Sequence, residues 1–324
     1  MTFAPTAMSR FRRLLKPALS LLVVLCVVWF FGKAFRANWA DVQAHEFQLS
    51  LPYLIAAALV TLAGTLLATH AWYRSINTLS TSKVDFRQSV AATNVSGLTK
   101  YIPGKVWSYA LQMYWLDGLG IGKALIVYVG LLNLAISIGV SVMFGLVCLL
   151  FGEIAFSARV LFGALLGLLA FDALCICFNR ALLHALVSLI NRLFKRNLSA
   201  FDVTKSLLLE LHLIHLLAAV ASGLAAYLFC FAIGYRIDFQ RSLVVVGSST
   251  LGDVAGFLAV IVPGGLGVRE GLMYKMLGGE ASGSLALVLP VASRLLNMFV
   301  EIALGLVAFR LLRTLTVGKS STRP

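Results

Sequence analysis

The sequence predicts an all-α integral membrane protein with about six full transmembrane helices and two re-entrant or broken-helix hairpins in inverted-topology repeats. Two observations predict this class. First, 60% of the 324 residues are hydrophobic and only 12% are charged, with a mean hydropathy of +0.92. A soluble domain of this length cannot bury so much apolar surface. Second, two polar, proline- and glycine-containing segments are near copies of each other.

The formal net charge of +14 limits the classes of partner. Such a charge can indicate nucleic-acid binding, but no basic-aromatic module stands outside the apolar segments. Membrane proteins carry Lys and Arg in cytoplasmic loops, where these residues set topology and meet anionic lipid. We therefore expect anionic membrane lipids as partners and no nucleic acid. All five cysteines lie in apolar runs, and they predict neither a disulfide nor a metal site.

Six apolar stretches reach the length of about 20 residues that crosses a bilayer. They are Pro17–Phe35, Leu51–Trp72, Ala124–Phe151, Val160–Phe178, Leu207–Ile233 and Ser284–Phe309. The first is too long for a cleaved signal peptide, and its basic flank predicts a cytoplasmic N-terminus. Six crossings then return the C-terminus to the cytoplasm and leave most Lys and Arg on that side. The basic segment 179–206 predicts an interfacial cytoplasmic helix that binds anionic lipid.

Two further segments do not fit simple crossings. Gln88–Gly120 is interrupted at Pro103 and carries polar residues, so it is either a re-entrant hairpin or an amphipathic helix on the cytoplasmic surface. Ser242–Gly279 has a first arm long enough to cross alone, but an odd crossing would place the basic C-terminus outside. A deep re-entrant arm, or a crossing undone by the short segment after it, avoids that conflict.

The two interrupted segments are copies. At an offset of 160 residues, Pro103 and Gly104 meet Pro263 and Gly264, and the sequence Gly-Leu-Val recurs at 145–147 and 305–307. At an offset of 153, "DFRQS" at 85–89 meets "DFQRS" at 238–242. The copies enter from opposite sides of the predicted membrane, as in many transporters whose site lies between inverted repeats. We predict one membrane domain, 1–324, with repeat halves at about 51–151 and 207–312.

The motifs "GLTKYIPGKVW" and "VPGGLGVREG" resemble the lysylphosphatidylglycerol synthase transmembrane-region family, also described as flippase-like. The resemblance implies a membrane domain that moves or flips lipids, or that supports lipid modification. Aminoacyl-phosphatidylglycerol members continue into a soluble transferase domain, whereas this chain ends at Pro324, so we expect no transfer activity. The first motif departs from the second, because Lys105 stands near the place of a Gly-Leu-Gly and no Glu follows.

The second motif supplies the main candidate site. Glycines 264, 265 and 267 permit turns with positive φ and close backbone approach after Pro263. The helix that follows begins with exposed N–H groups, which attract phosphate, and Arg269 can add a bidentate contact. Our hypothesis is a lipid phosphate at this tip, with Glu270 orienting Arg269 or contacting a cationic head group. The alternative is an Arg-Glu pair that only locks the hairpin.

Further polar residues lie in the last helix and in the hairpins. Arg294, Asn297 and Glu301 form one stripe with Pro290, which either lines the translocation route or packs helices, and Arg294 can pair with Glu301 or with the hairpin. Asp253 is a candidate for a coupling proton or ion, or it satisfies backbone donors. The first hairpin offers a matching set of polar contacts, which also includes lysines that can simply reach lipid phosphates: Asn94, Lys100, Pro103, Gly104 and Lys105.

These observations favour a lipid or lipid-linked-substrate flippase of the bacterial cytoplasmic membrane, with a phospholipid or polyprenyl-phosphate-linked lipid as substrate. We expect no cofactor and no metal, because the sequence carries no nucleotide-binding or hydrolase motif. The alternative is a non-catalytic membrane partner of a lipid-modifying enzyme or an envelope glycosyltransferase. A membrane lipid transferase also stays open, since such enzymes use scattered residues.

Overall fold

A computed structural model describes residues 48–101, 107–152, 157–177, 201–259, 265–278 and 284–320, with single residues 36, 188 and 262. Within these ranges the chain forms nine α-helices and no strand. They are α1 (Leu51–Leu79), α2 (Phe86–Gly97), α3 (Trp107–Asp117), α4 (Lys123–Phe151), α5 (Ala158–Cys177), α6 (Lys205–Ala232), α7 (Phe239–Leu258), α8 (Val268–Met276) and α9 (Ser284–Ser320). A 3₁₀ turn, Leu98–Tyr101, follows α2.

Five helices are long and apolar enough to cross a membrane: α1, α4, α5, α6 and residues Ser284–Leu311 of α9. They coincide with five of the six predicted spans, and they confirm an all-α membrane protein. The predicted first span, Pro17–Phe35, lies outside the described residues, as does most of the predicted interfacial helix 179–206. Exposed Leu, Phe and Val side chains cover much of α5 and the outer faces of α6 and α9, which suits contact with lipid.

The two hairpins begin with the same local structure. The side chain of Asp85 accepts a hydrogen bond from the backbone N–H of Gln88 at 2.6 Å, and that of Asp238 accepts one from the N–H of Arg241 at 2.7 Å. Each aspartate is therefore the N-cap of its helix, α2 or α7, and accepts from a first-turn N–H that has no partner within the helix. The matched sequences "DFRQS" and "DFQRS" thus encode the same helix start. The longer second copy gives 20 residues in α7 against 12 in α2.

Each half of the chain packs its hairpin against the other half. The first arm of each hairpin packs against the final helix of the opposite half, so that α2 contacts α9 and α7 contacts α4. The long helices α1 and α6 pack directly on each other. Packing of α2 inside the bundle, with Ser89, Ala91 and Ser96 buried, favours a hairpin over a helix lying on the membrane surface.

One pair of close contacts supports the repeat at the level of single residues. A Cβ placed on Gly145 of α4 would lie 2.7 Å from Cγ of Leu251 in α7. A Cβ placed on Gly305 of α9 would lie 2.6 Å from Cδ1 of Leu98, just after α2. Gly145 and Gly305 are related by the offset of 160, and Leu98 and Leu251 by the offset of 153. Both glycines therefore let a hairpin leucine approach the final helix of the other half.

This contact predicts the effect of adding one methyl group. Gly145→Ala and Gly305→Ala should each lower the free energy of unfolding by about 1–3 kcal/mol, because the added Cβ overlaps a packed leucine. Gly139→Ala in α4 is the matched control, since no heavy atom lies within 4 Å of its added Cβ. It should be neutral or stabilising by up to about 1 kcal/mol. Thermal unfolding in detergent measures all three variants, and equal stability of Gly145→Ala and Gly139→Ala would contradict the packing.

Candidate functional site

The tip of the second hairpin has the glycine-dependent backbone that the sequence predicts. Gly265 and Gly267 have φ of +69° and +82°, in the left-handed region that favours glycine. The N–H of Gly267 donates to Glu270 Oε2 at 2.6 Å, so this side chain closes the start of α8. Pro263 and Gly264 lie outside the described residues.

Glycines also let the two arms of this hairpin touch. A Cβ on Gly265 would lie 2.2 Å from the carbonyl oxygen of Gly256 in α7. A Cβ on Gly252, one turn earlier in α7, would lie 2.8 Å from Cγ of Met273 and 3.3 Å from Cγ of Arg269 in α8. The spacing of Gly252 and Gly256 therefore places α8 directly on the backbone of α7. This packing fixes where Arg269 lies.

Arg269 is buried and paired with Asp253 across the hairpin. Its Nε lies 2.8 Å from Oδ1 of Asp253, and the hydroxyl of Ser222 in α6 donates to Oδ2 of the same carboxylate at 2.9 Å. The side chain of Arg269 is 7% exposed, whereas that of Asp253 is 39% exposed. The candidate coupling residue and the candidate phosphate ligand are thus direct neighbours, and the carboxylate is the more exposed of the two.

Glu270 forms a second pair, with the last helix. Arg294 Nη1 of α9 donates to Glu270 Oε1 at 2.6 Å, and both side chains are buried, at 11% and 5% exposure. Both oxygens of Glu270 thus have partners other than Arg269, since adjacent residues on a helix point about 100° apart, and contact of Glu270 with a cationic head group stays a prediction. The prediction that Arg294 can pair with the hairpin is correct. This second pair locks α8 onto α9.

A small cavity lies between α6, α7, α8 and α9, with room for about one water molecule. Its lining combines one guanidinium, three hydroxyls, one amide and four apolar side chains. They are Arg269, Ser222, Ser249, Ser293, Asn297, Ala225, Ala226, Phe229 and Leu296. Arginine, serine and asparagine offer the N–H and O–H donors that hold an oxyanion. The cavity thus brings these candidate donors together around a buried arginine.

The structure sorts the predicted stripe of α9 into three positions. Asn297 faces the cavity beside Arg269, Arg294 turns to Glu270, and Glu301 is half-buried farther along the helix. Sequence reasoning did not single out Ser222 and Ser293 as cavity residues. Ser293 and Asn297 are four residues apart, so they share a helix face, and this spacing was the available signal.

The first hairpin carries a different polar network. The amide of Asn94 donates to Oγ1 of Thr69 in α1 and of Thr93, at 3.2 Å each, and to the carbonyl of Val90 at 2.9 Å. These bonds hold α2 against α1. Lys100 lies in the 3₁₀ turn that follows, while Pro103, Gly104 and Lys105 lie outside the described residues.

The repeat offset shows how the two halves differ chemically. At the offset of 160, Tyr109 of α3 corresponds to Arg269, and Gly130 of α4 corresponds to Pro290. The ring of Tyr109 packs on Gly130 so closely that an added Cβ would lie 2.2 Å from Cε1. A bulky aromatic ring thus stands in the first half where the buried cation stands in the second. The buried ion pairs of the described hairpins belong to the second half.

Other charged contacts lie at the start of α6, away from this cavity. Arg74 holds Glu210 with two bonds, at 2.5 and 2.9 Å, and Asp172 lies 3.1 Å from His212 Nε2. Asp172 lies on α5, which packs against α6 at this point. In the ranges the structure describes, no three His, Cys, Asp or Glu side chains gather as a metal site requires.

Comparison with known families identifies the chain. The model of the family described as "Lysylphosphatidylglycerol synthase TM region" matches residues 18–305. The chain belongs to this family. No curated protein and no solved structure matches the chain. The match covers α1 to α8 and reaches into α9. As a member of this family, the chain is a membrane protein tied to lipid metabolism or transport.

Proposed function

We propose that this family member is a flippase or transporter for a lipid or lipid-linked substrate in the bacterial cytoplasmic membrane, with both termini in the cytoplasm. The substrate would be a phospholipid or a polyprenyl-phosphate-linked lipid, bound through its phosphate. The observation that carries the proposal is the cavity beside Arg269. A buried guanidinium next to hydroxyl and amide donors is costly to build, and it matches the oxygens of a phosphate.

The arrangement of helices supports the same function. The cavity lies where α7 and α8 of one hairpin meet α6 and α9, and the other hairpin packs against the same α9. Repeats that exchange their contacts in this way are typical of carriers that alternate between two packings around one site. Room for about one water is too little for a phosphate head group. Substrate entry therefore requires a second packing in which the space between α6, α7, α8 and α9 is wider.

Arg269→Lys is the variant that tests the phosphate contact. Lysine keeps the positive charge beside Asp253 but loses the planar fork, so the hairpin stays paired while bidentate recognition is lost. In liposomes containing the purified protein, we expect lipid movement to fall about tenfold or more, the effect of a lost hydrogen bond to a charged group. A fluorescent lipid analogue that becomes inaccessible to dithionite measures the movement.

The control variant is Lys275→Ala, on the same short helix. Lys275 is exposed and does not line the cavity. Replacing it with alanine removes one positive charge from α8, so lipid movement should match that of wild type. Thermal unfolding of both variants separates loss of function from loss of structure. Normal movement by stable Arg269→Lys would contradict a bidentate phosphate site.

A further inference from the structure

The contact between Arg269 and Asp253 carries an inference about coupling, and it rests on the proposed function. The carboxylate of Asp253 reaches Arg269 through Oδ1 and Ser222 through Oδ2. Arg269 and Ser222 also line the cavity. The guanidinium that would bind an incoming phosphate is therefore the one that now pairs with Asp253. Two anions compete for one guanidinium.

Charge decides how such a competition ends. With Asp253 ionised, the pair Arg269–Asp253 is neutral. A phosphate diester placed beside it would set two negative charges against one positive charge in a region of low dielectric, which strongly disfavours binding. A proton on Asp253 removes the excess charge. The site then has the same net charge with and without the phosphate. The protein can therefore change between its two packings at a similar electrostatic cost in either state.

Among the described residues around Arg269, Asp253 is the carboxylate placed to take this proton. Arg269 of α8 faces it, and α6 presents the uncharged Ser222. Three residues that approach α7 closely, Gly145 and Leu149 of α4 and Gly152 just after it, carry no titratable side chain. On the neighbouring α9, Arg294 pairs with Glu270, whose other oxygen already accepts the N–H at the start of α8.

Exposure separates the two carboxylates of the hairpin. Glu270 is 5% exposed and held at both oxygens, whereas Asp253 is 39% exposed. Asp253 is therefore the more accessible of the two carboxylates. The buried pair Glu270–Arg294 therefore suits a fixed structural role. The more exposed pair Asp253–Arg269 suits an ion pair that separates during transport.

We propose that Asp253 and a phosphate-bearing head group compete for Arg269, so that each anion that binds is accompanied by one proton taken up by the Asp253 carboxylate. The proton comes from water and adds to a carboxylate oxygen as that oxygen leaves Arg269. The phosphate monoanion takes its place on the guanidinium. Release of the anion on the other side returns the proton and restores the ion pair.

The test measures protons and anions together on the purified full-length protein. Two probes distinguish a free phosphate from a lipid: dimethyl phosphate and short-chain dihexanoyl phosphatidylglycerol, both of which keep one negative charge between pH 5 and 8. In weak buffer, wild type should take up about one proton per bound anion, and its affinity should rise about tenfold per pH unit as the pH falls. Binding of the lipid alone would assign the site to a head group with its chains.

Two variants make the result specific. Asp253→Asn keeps the shape of the side chain but cannot ionise, so it should bind the anion without proton uptake and with an affinity independent of pH. Ser222→Ala removes the donor that stabilises the ionised carboxylate, so it should bind the anion about tenfold more tightly than wild type at the same pH. A merely structural ion pair predicts the opposite for Ser222→Ala, because weakening such a pair loosens the site.

Some outcomes overturn the inference. Equal proton uptake by wild type and Asp253→Asn would show that another group takes the proton. Anion binding by wild type with no proton uptake would show that Asp253 stays ionised. Failure of the proposed function looks different, because wild type would then bind anion and proton together but move no lipid in liposomes. Lipid movement with unchanged proton uptake in Asp253→Asn would overturn the competition alone.

Discussion

Replacing Gly265 by alanine is expected to destabilise the second hairpin more than any other single methyl addition in it. An L-residue at a φ of +69° is strained by about 1–2 kcal/mol. The added Cβ would also lie 2.2 Å from the carbonyl oxygen and 2.5 Å from the carbonyl carbon of Gly256. Backbone atoms cannot relieve such an overlap by a change of rotamer, as a side chain can. With overpacking of about 1–3 kcal/mol in addition, we expect the free energy of unfolding to fall by about 3 kcal/mol or more.

Gly271→Ala is the matched control for this prediction. Gly271 lies in α8, six residues after Gly265, and no heavy atom lies within 4 Å of its added Cβ. Alanine should therefore be neutral or should stabilise the protein by up to about 1 kcal/mol. Denaturant-induced unfolding in mixed micelles gives both values. A Gly265→Ala variant as stable as Gly271→Ala would show that the arms do not meet backbone to backbone.

Removing the carboxylate of Glu270 is expected to have the second large effect. Glu270→Ala takes a buried partner from Arg294 and leaves the N–H of Gly267 without its acceptor. Breaking a buried pair on one side costs about 3–5 kcal/mol, because a charge remains in a region of low dielectric. The loss appears as a lower free energy of unfolding in the same micelles.

A double-mutant cycle separates this pair from general damage. Arg294→Met replaces the cation with an apolar chain of similar length, and combining it with Glu270→Ala should cost less than the sum of the two single changes. Lys275→Ala, exposed on the same helix, should change stability by no more than about 0.5 kcal/mol. Additive effects of Glu270→Ala and Arg294→Met would contradict the pair.

The sequence was sufficient to predict the elements, because repeats and periodicity are local signals. Five apolar runs became five long helices, and the matched sequences "DFRQS" and "DFQRS" lie at two equivalent helix starts. The 160-residue offset also brought Gly145 and Gly305 into equivalent contacts. Their partners, Leu98 and Leu251, are related by the shorter offset of 153, as are the two helix starts. The seven extra residues of the second arm therefore lie after Leu251.

The partners within the site could not be predicted in the same way. Helical spacing shows which residues share a face, but it does not show which neighbour that face meets. Arg269 and Glu270 are adjacent in sequence, yet one turns to α7 and the other to α9. Ser222 lies on α6, the long helix before α7, and its side chain contacts Asp253 on α7. Such contacts depend on the rotation of each helix in the bundle, and close Gly contacts between α7 and α8 set that rotation.

The central claim is that this chain moves a phosphate-bearing lipid by itself. The most direct measurement is lipid translocation in liposomes that contain only the purified wild-type protein, across a panel of anionic phospholipids and polyprenyl phosphates. We predict that at least one of these lipids changes leaflet faster than in protein-free vesicles and that a zwitterionic lipid without net charge moves less. Movement of no lipid in the panel, by protein that is folded and inserted, would contradict the claim and favour a membrane partner of a lipid-modifying or glycan-assembling enzyme.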